Sequence, residues 1–270
     1  MKILRLGHAM YVFTTKQQKK LLVDPFFDMN PGCPSEYGKP DFLKTIDAVL
    51  LTHGHFDHTS GLNKVLEVKP DVLVIAQYEL ALILMQQGIK NVYPLNFGGS
   101  IDLEDTKVTM VKAVHTSSYG ETVGTPVYAG EACGYILDFK DDVTLYHSGD
   151  TAIMMDMKLI QDIYQPDIAI LSSSGQFTMG PKEAAYAVNH LLDVKIVIPS
   201  HTFPTKKNAP SKEAMERLMS NFPIIENMMD KDKELVELLK DNNKTRVLTI
   251  GYGEEKEISL SNEQLVNPII

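Results

Sequence analysis

The sequence predicts an α/β protein in which two β-sheets pack together and helices cover their outer faces. Two observations carry this prediction. Short runs rich in Val, Leu, Ile and aromatic residues recur in both halves of the chain, and segments of helical period lie interspersed among them. Neither a G-x-G-x-x-G nor a G-x-x-x-x-G-K-[ST] loop is present, so a doubly wound nucleotide-binding sheet does not fit.

Taken in order, Lys2 to Leu6, Ala9 to Thr14 and Leu21 to Val23 read as an antiparallel start, with a polar turn at Lys16 to Lys20. Asp24-Pro25 ends the third strand. Asn30 to Pro40, punctuated by Pro and Gly, is a long loop of the length often used for lids and binding loops. The apolar run Asp47 to Leu51 is a strand, Thr59 to Val68 a short helix, Asp71 to Ala76 a strand, and Tyr78 to Gln87 an amphipathic helix stopped by Gly88. Asn91 to Leu95, Ile101 to Leu103 and Lys107 to Val114 return to strands. Ala132 to Phe139 and Val143 to His147 make a hairpin that turns at Asp141-Asp142. Met154 to Tyr164 is helical and Asp167 to Leu171 is a buried strand. Gly180-Pro181-Lys182-Glu183 opens a helix, because proline suits the first turn and an acid suits the positive end of the dipole. Lys195 to Ile198 is a strand leading into Pro199-Ser200-His201. Ser211 to Met219 and Lys231 to Leu239 are surface helices, and Arg246 to Ile250 and Lys256 to Leu260 close the chain as strands.

With 270 residues the chain can bury a sizeable core, and its 44% hydrophobic and 23% charged content is that of an ordinary globular protein. A net charge of -9 argues against a nucleic-acid partner, whose footprint is basic. The N-terminus has no uninterrupted apolar segment of a signal peptide, and no apolar run reaches the length of a membrane span. Two cysteines, Cys33 and Cys133, make no disulfide framework, so a reducing, cytoplasmic setting is expected. The oligomeric state stays open, closed homo-oligomers being common.

The chemistry is concentrated in Thr52-His53-Gly54-His55-Phe56-Asp57-His58, directly behind the Asp47 to Leu51 strand. Three imidazoles and a carboxylate suit zinc and neighbouring first-row metals. Their spacing is too dense for one tetrahedral ion, and division between two adjacent ions relieves the crowding. His115, Asp150 and His201 each follow a β run and precede small polar residues, and strand ends are where a rigid scaffold assembles a site.

The chain resembles the metallo-β-lactamase superfamily, through H-x-H-x-D-H at His53, His55, Asp57 and His58 and the later His115, Asp150 and His201. More closely, it is similar to metal-dependent hydrolases related to the ascorbate-6-phosphate lactonases and N-acylphosphatidylethanolamine phospholipases D. The phrases that carry this are Leu6-Gly7-His8, Val23-Asp24-Pro25-Phe26, His115-Thr116-Ser117-Ser118, Phe177-Thr178-Met179-Gly180-Pro181 and Thr202-Phe203-Pro204. It covers residues 1 to about 205 and the final strands. The resemblance implies a four-layer αββα sandwich in a single domain spanning residues 1–270, with a helical insert at about 211–240. It also implies two divalent ions, Zn2+ first with Mn2+ or Fe2+ as substitutes. One ion would take His53, His55 and His115, the other Asp57, His58 and His201, with Asp150 bridging. Asp24 and Thr52 would hold the ligating imidazoles, and Asp57 would orient or deprotonate the attacking water.

Several branches of the superfamily fit poorly. Asp150 follows the hydrolase pattern, whereas a zinc β-lactamase usually lacks a bridging carboxylate there. A flavodiiron relative would carry Glu in place of His55 and append a flavin domain, and a nuclease would add an RNA-binding module. The expected function is therefore hydrolysis of an ester, lactone or phosphodiester of a small molecule, without nucleic acid or membrane partner. The alternative is a non-catalytic metal-dependent metabolite binder or sensor. His8, His147 and His190 are expected to be structural, with His8 the first to reconsider, and the pocket walls are expected from Met29 to Pro40 and Tyr119 to Glu131.

Overall fold

The computed structural model describes residues 1–120 and 125–258. The first half supplies β1 (Lys2–Arg5), β2 (Tyr11–Thr14), β3 (Lys20–Val23), β4 (Ala48–Leu50), β5 (Leu73–Gln77) and β6 (Val92–Leu95). Between these lie α1 (Pro40–Leu43), α2 (Phe56–Thr59), α3 (Leu62–Val68) and α4 (Tyr78–Gln86). The second half supplies β7 (Ser100–Asp102), β8 (Thr106–Lys112), the short pair β9 (Ser118–Tyr119) and β10 (Val127–Tyr128), then β11 (Cys133–Phe139) and β12 (Thr144–His147). There follow α5 (Asp156–Tyr164), β13 (Ile168–Ser172), α6 (Pro181–His190), β14 (Ile196–Ser200), α7 (Lys212–Asn221), α8 (Lys231–Leu238), β15 (Arg246–Val247) and β16 (Glu255–Glu257).

Two seven-stranded mixed sheets result. One runs β16-β1-β2-β3-β4-β5-β6, and the other β15-β14-β13-β12-β11-β8-β7. In the first, β3 to β6 are parallel, and in the second, β12 to β15 are parallel. The ends of β3, β4, β12, β13 and β14 therefore deliver their following residues to the same edge of the sandwich.

The strands are apolar on both sides because both sides are covered. Tyr11, Phe13, Leu21 and Val23 meet Tyr135, Leu145, Ile170 and Ile198 between the sheets. Their neighbours Val12 and Leu22 face α1, α3 and α4, packing with Leu43, Val65 and Leu80. On the opposite outer face Ala169, Leu171 and Val197 pack against α5, α6 and α8 through Met157, Ala184 and Leu235. The two-residue period is thus hidden in continuous apolar runs, as in parallel sheets covered on both faces. The expected αββα layering is what the chain adopts. Among the described residues, no helix is long and apolar enough to cross a membrane.

Several expected elements differ. The helix expected at Thr59 to Val68 is two, α2 and α3, parted where Gly61 donates its N–H to Pro25 O at 2.8 Å. Asp57 and His58 consequently lie on the first turn of helix. Pro199 lies inside β14, tolerated because β15 pairs only with Ile196 and Val197, leaving β14 a sheet edge at the proline. The Asn30 to Pro40 loop is tied down by Asn30, whose side-chain amide donates to Leu6 O and Gly7 O and whose oxygen accepts from Gly32 N–H. The helices α7 and α8 are only half at the surface, since Ala214, Met215, Leu218 and Leu235 are buried. Of the final expected strand, Glu255–Glu257 pairs with β1, and Ser259 and Leu260 lie outside the described residues.

Arg5 joins these parts. Its guanidinium, 1% exposed, donates to Asp232 of α8 at 2.5 Å, to Ile250 O at 2.9 Å and to Thr202 Oγ1 at 2.8 Å, and lies 4.5 Å from the Tyr252 ring centre. Asp232 also accepts from Thr202 Oγ1 at 2.6 Å. Arg5→Met should destabilise the protein by about 3–5 kcal/mol, because it strands the Asp232 carboxylate. Adding Asp232→Leu should restore much of that loss. Urea midpoints of the two variants test this, and equal midpoints would show that the pair is not coupled.

His147 is buried between the sheets, where its Nδ1 accepts from Gly149 N–H at 3.1 Å. Burial pushes its pKa down to about 4. The unfolded chain takes up this proton near pH 6.5 and the folded chain only near 4. Its contribution is thus complete above pH 6.5 and lost as pH falls toward 4, on the order of 3 kcal/mol in all. His147→Asn, which keeps an acceptor for Gly149, should reduce the loss of stability of metal-free protein across that window by about that share, as read from urea midpoints, His8, His53 and His115 supplying the slope that persists.

Candidate metal centre

The edge of the sandwich gathers all seven residues expected there. His53 and His55 follow β4, and Asp57 and His58 stand on α2. His115 follows β8, Asp150 follows β12 and His201 follows β14. Close backbone packing fixes these turns. A Cβ on Gly54, between His53 and His55, would stand 2.7 Å from Ser118 O. At Gly149, beside Asp150, φ is +58° and a Cβ would stand 2.3 Å from Cys133 O. Only glycine fits either place without displacing backbone.

Two groups of side chains converge. His53, His55 and His115 form one, with His53 Nε2 and His55 Nδ1 2.9 Å apart. Asp57, His58 and His201 form the other, joined by His8. Asp150 lies between them. Its Oδ2 is 2.8 Å from His201 Nε2, 3.4 Å from His58 Nε2 and 3.7 Å from His115 Nε2. His53, His58 and Asp150 also group within ligating distance.

The outward atoms of the imidazoles are held from behind. Asp24 accepts from Thr52 N–H at 2.8 Å and from Thr52 Oγ1 at 2.7 Å, and its Oδ2 lies 2.7 Å from His58 Nδ1. Thr52 Oγ1 is 3.0 Å from His53 Nδ1. With Nδ1–H engaged by these oxygens, the Nε2 lone pairs of His53 and His58 face inward, as metal ligands require. Ser174, after β13, does the same for His201, with Oγ 2.9 Å from Nδ1. Asp24 and Thr52 are where the sequence expected them, whereas Ser174 went unnoticed in a run of three serines.

His8 is the larger surprise. Its Nε2 lies 3.0 Å from Asp57 Oδ2, and its ring stacks on Phe203 at 4.4 Å and lies 4.1 Å from that of His201. A β-bridge joins His8 to Thr202, and His201 N–H donates to His8 O at 3.1 Å. His8 (φ 53°), Asp24 (φ 51°) and His201 (φ 59°) all take the left-handed backbone, a strained conformation that accumulates at functional sites. The one clue in sequence is Gly7, a flexible residue before a histidine at a strand end. His147 and His190 lie outside these groups.

Electrostatically the site is divided. Burial holds His53 well below the usual imidazole range and brings His115 and His8 to about 4. Burial opposes a charge on His58 too, yet Asp150, Asp24 and Asp57 together hold it well above that range. Asp150 is held well below the carboxylate range by His201 and His58 despite its burial. Asp57 is likewise held low, by His58 and His8. The site thus sets ionised carboxylates beside imidazoles that burial keeps neutral at His53, His115 and His8, and beside His58, where the same carboxylates favour a positive charge; imidazole and carboxylate together are the donor types of a divalent cation.

The buried atoms fit such a cation. Nε2 of His58, Nε2 of His115 and Oδ1 of Asp150 have no hydrogen-bond partner. Leaving buried polar atoms unmatched is costly unless something satisfies them. His58 Nε2 and His115 Nε2 stand 3.4 Å and 3.7 Å from Oδ2 of that same Asp150 carboxylate.

The cluster forms the floor of a pocket of about 430 Å³. Tyr119, Gly120 and Pro126 contribute from the Tyr119 to Glu131 loop, whose residues 121–124 lie outside the described residues. No residue of the Met29 to Pro40 loop lines it. The opposite wall comes instead from Phe203 and from Leu218, Phe222, Ile225 and Met228 of the 211–240 segment.

Residues 19–202 match the model of the β-lactamase superfamily domain. A UPF0173 metal-dependent hydrolase of Koribacter versatilis is 43% identical over 215 residues, which is 78% of this chain and 89% of that protein. One from Methanobrevibacter smithii is 41% identical over 232 residues, 83% of this chain and 93% of that protein. Among solved structures, a metallo hydrolase of Ignicoccus hospitalis superposes with a TM-score of 0.74 at 22% identity, covering 96% of this chain and 99% of that one. A sandwich with these turns at its edge, matched along most of its length, places the chain in the β-lactamase superfamily, as a member of the UPF0173 metal-dependent hydrolase family.

Proposed function

We propose that this protein is a hydrolase using two divalent metal ions to cleave an ester, lactone or phosphodiester bond of a small molecule. In this reading His53, His55 and His115 would hold one ion, Asp57, His58 and His201 would hold the other, and Asp150 would serve both. The observation that carries it is the position of Asp150 Oδ2, within 3.7 Å of imidazole nitrogens from both groups. Zinc is the first expectation for a site of imidazole and carboxylate donors, with manganese or iron chemically compatible. The relatives named metal-dependent hydrolases support the reaction class. Cys33 and Cys133, unpaired and buried, suit a cytoplasmic setting.

When bound, the ions supply Lewis-acid activation of water and charge to offset a developing oxyanion. The chain's own residues do the rest. Asp57 is the carboxylate that opens toward the pocket, and it orients the attacking water and accepts its proton. His8 donates to Asp57 Oδ2 and so fixes the carboxylate plane. Asp24 and Ser174 hold the rings of His58 and His201. Water oxygen bonds to the acyl carbon or phosphorus, the bond to the leaving oxygen breaks, and the proton taken by Asp57 passes to that oxygen. No side-chain nucleophile is needed.

Protein purified without tag or chelator should contain close to two zinc or manganese ions per chain by elemental analysis. A single ion that reconstitution cannot raise to two would remove Asp150 from its shared role. Asp57→Asn should lower kcat on whichever ester, lactone or phosphodiester is turned over by about 100-fold or more. Asp24→Ala should weaken metal affinity about 10- to 100-fold, measured by chelator competition, through loss of the oxygen that orients His58.

A further inference from the structure

The walls of the pocket bear on what it accepts. Its floor is ionic, but the rest is not. Phe56, Phe203 and Phe222 with Leu218, Ile225 and Met228 make one continuous apolar side. Phe222 stacks on Phe56 with ring centres 5.2 Å apart and planes 16° from parallel, and Phe56 meets Phe26 edge-on at 5.8 Å. Phe26, Phe203, Leu218, Ile225 and Met228 form a cluster separate from the main cores, at the site rather than between layers.

Among the described residues, no lysine or arginine lines the pocket. The residues outside them contribute none either, since 121–124 read Glu-Thr-Val-Gly and 259–270 contain neither residue type. Two basic side chains of the 206–212 stretch are engaged elsewhere. Lys206 pairs with Glu226, and Lys212 donates to the carbonyls of Lys206 and Lys207. A substrate with an anionic group beyond the reacting one would therefore enter an apolar chamber without a counter-charge, which is strongly disfavoured.

The geometry points to a substrate whose non-reacting part is uncharged and apolar, an acyl chain or aryl group carried by an ester or lactone, selected by the Leu218–Met228 wall. This rests on the hydrolase reading above and narrows it. The 211–240 segment is then the specificity element of the site. It is fastened for that role, because α8 behind it is anchored through Asp232 to Arg5 and Thr202, next to His201. A pocket of about 430 Å³ suits a small molecule, and its apolar lining with a few convergent polar groups is the usual design of such sites.

The test uses the full chain reconstituted with zinc and a series of p-nitrophenyl esters from acetate to octanoate. Beside it run mono-p-nitrophenyl glutarate, p-nitrophenyl phosphate and bis-p-nitrophenyl phosphate. The expected result is a rise in kcat/KM of about fourfold per added methylene over the first carbons, with the glutarate ester and both phosphates far below the butyrate ester. Phe222→Ala, at a partly exposed position that leaves the cores intact, should lower the octanoate-to-acetate ratio about tenfold. In parallel, octanamide binding to the metal-free protein is measured by calorimetry for wild type and Phe222→Ala. Octanamide bound by wild type and weakened in the variant, with no substrate hydrolysed, would support the apolar pocket and sink the hydrolase reading. Hydrolysis with a flat chain-length series, or with preference for the anionic substrates, together with no octanamide binding, would overturn the pocket assignment and leave the hydrolase standing.

Discussion

The arrangement depends on one interaction, the Asp150 carboxylate buried among imidazoles. Asp150 is 2% exposed and faces His58, His115 and His201 at 2.8–3.7 Å. A buried charge is tolerated only with compensation, and three partners, two from strand ends and His58 from α2, must arrive together to provide it. That demand explains why the two sheets, alike in their parallel halves, bring those ends to one edge. It also explains the local strain. Left-handed backbone at His8, Asp24 and His201, and glycine at 54 and 149 where no side chain fits, are the means by which short turns aim these rings inward.

The same logic extends outward by one more layer. Asp24 binds Thr52 and His58, and Thr52 in turn reaches His53, so one carboxylate sets the orientation of rings in both groups. His8 and His201 are coupled through a β-bridge, and Thr202 hangs from Arg5 and Asp232. A disturbance in α8 therefore has a physical route to His201, one hydrogen bond and one residue long. Whether a side chain touches the pocket is a poor measure of its importance here, because the pocket floor is positioned by residues that never reach it.

Much of this was legible in the sequence. The H-x-H-x-D-H run and the grammar of apolar run, ligand-type residue and small polar residues located all seven converging side chains, since strand ends are readable from local pattern. What escaped depended on tertiary pairing. His8 carries no local sign of contact with Asp57, 49 residues away. Ser174 gains its role only when β13 and β14 lie side by side. The 211–240 segment read as surface helices because its apolar spacing is sparse, yet Leu218 and Ile225 are buried against Phe203 at the site rather than on a sheet face. Loop length misled as well. The Asn30 to Pro40 stretch has the length of a binding loop, but Asn30 spends it bracing the turn before His8.

The division of labour between floor and wall follows from where charge can be placed. The floor collects its carboxylates and imidazoles just past strand ends of both sheets, with Asp57 and His58 on the short α2 that follows β4, so most of it is held in register by the backbone ladder. The wall is built from α7 and the turn after it, packed mainly by side chains and tied to Phe203 by a single β-bridge at Met229, and it lies outside the 19–202 span matched to the superfamily domain. A substitution at Phe222 or Ile225 alters an apolar surface without disturbing an ion pair, whereas one at Asp24 or Asp150 uncovers a buried charge. Change of substrate preference is therefore cheap in the wall and change of chemistry expensive in the floor, and a protein organised this way can keep its reaction while its wall is refitted to new apolar partners.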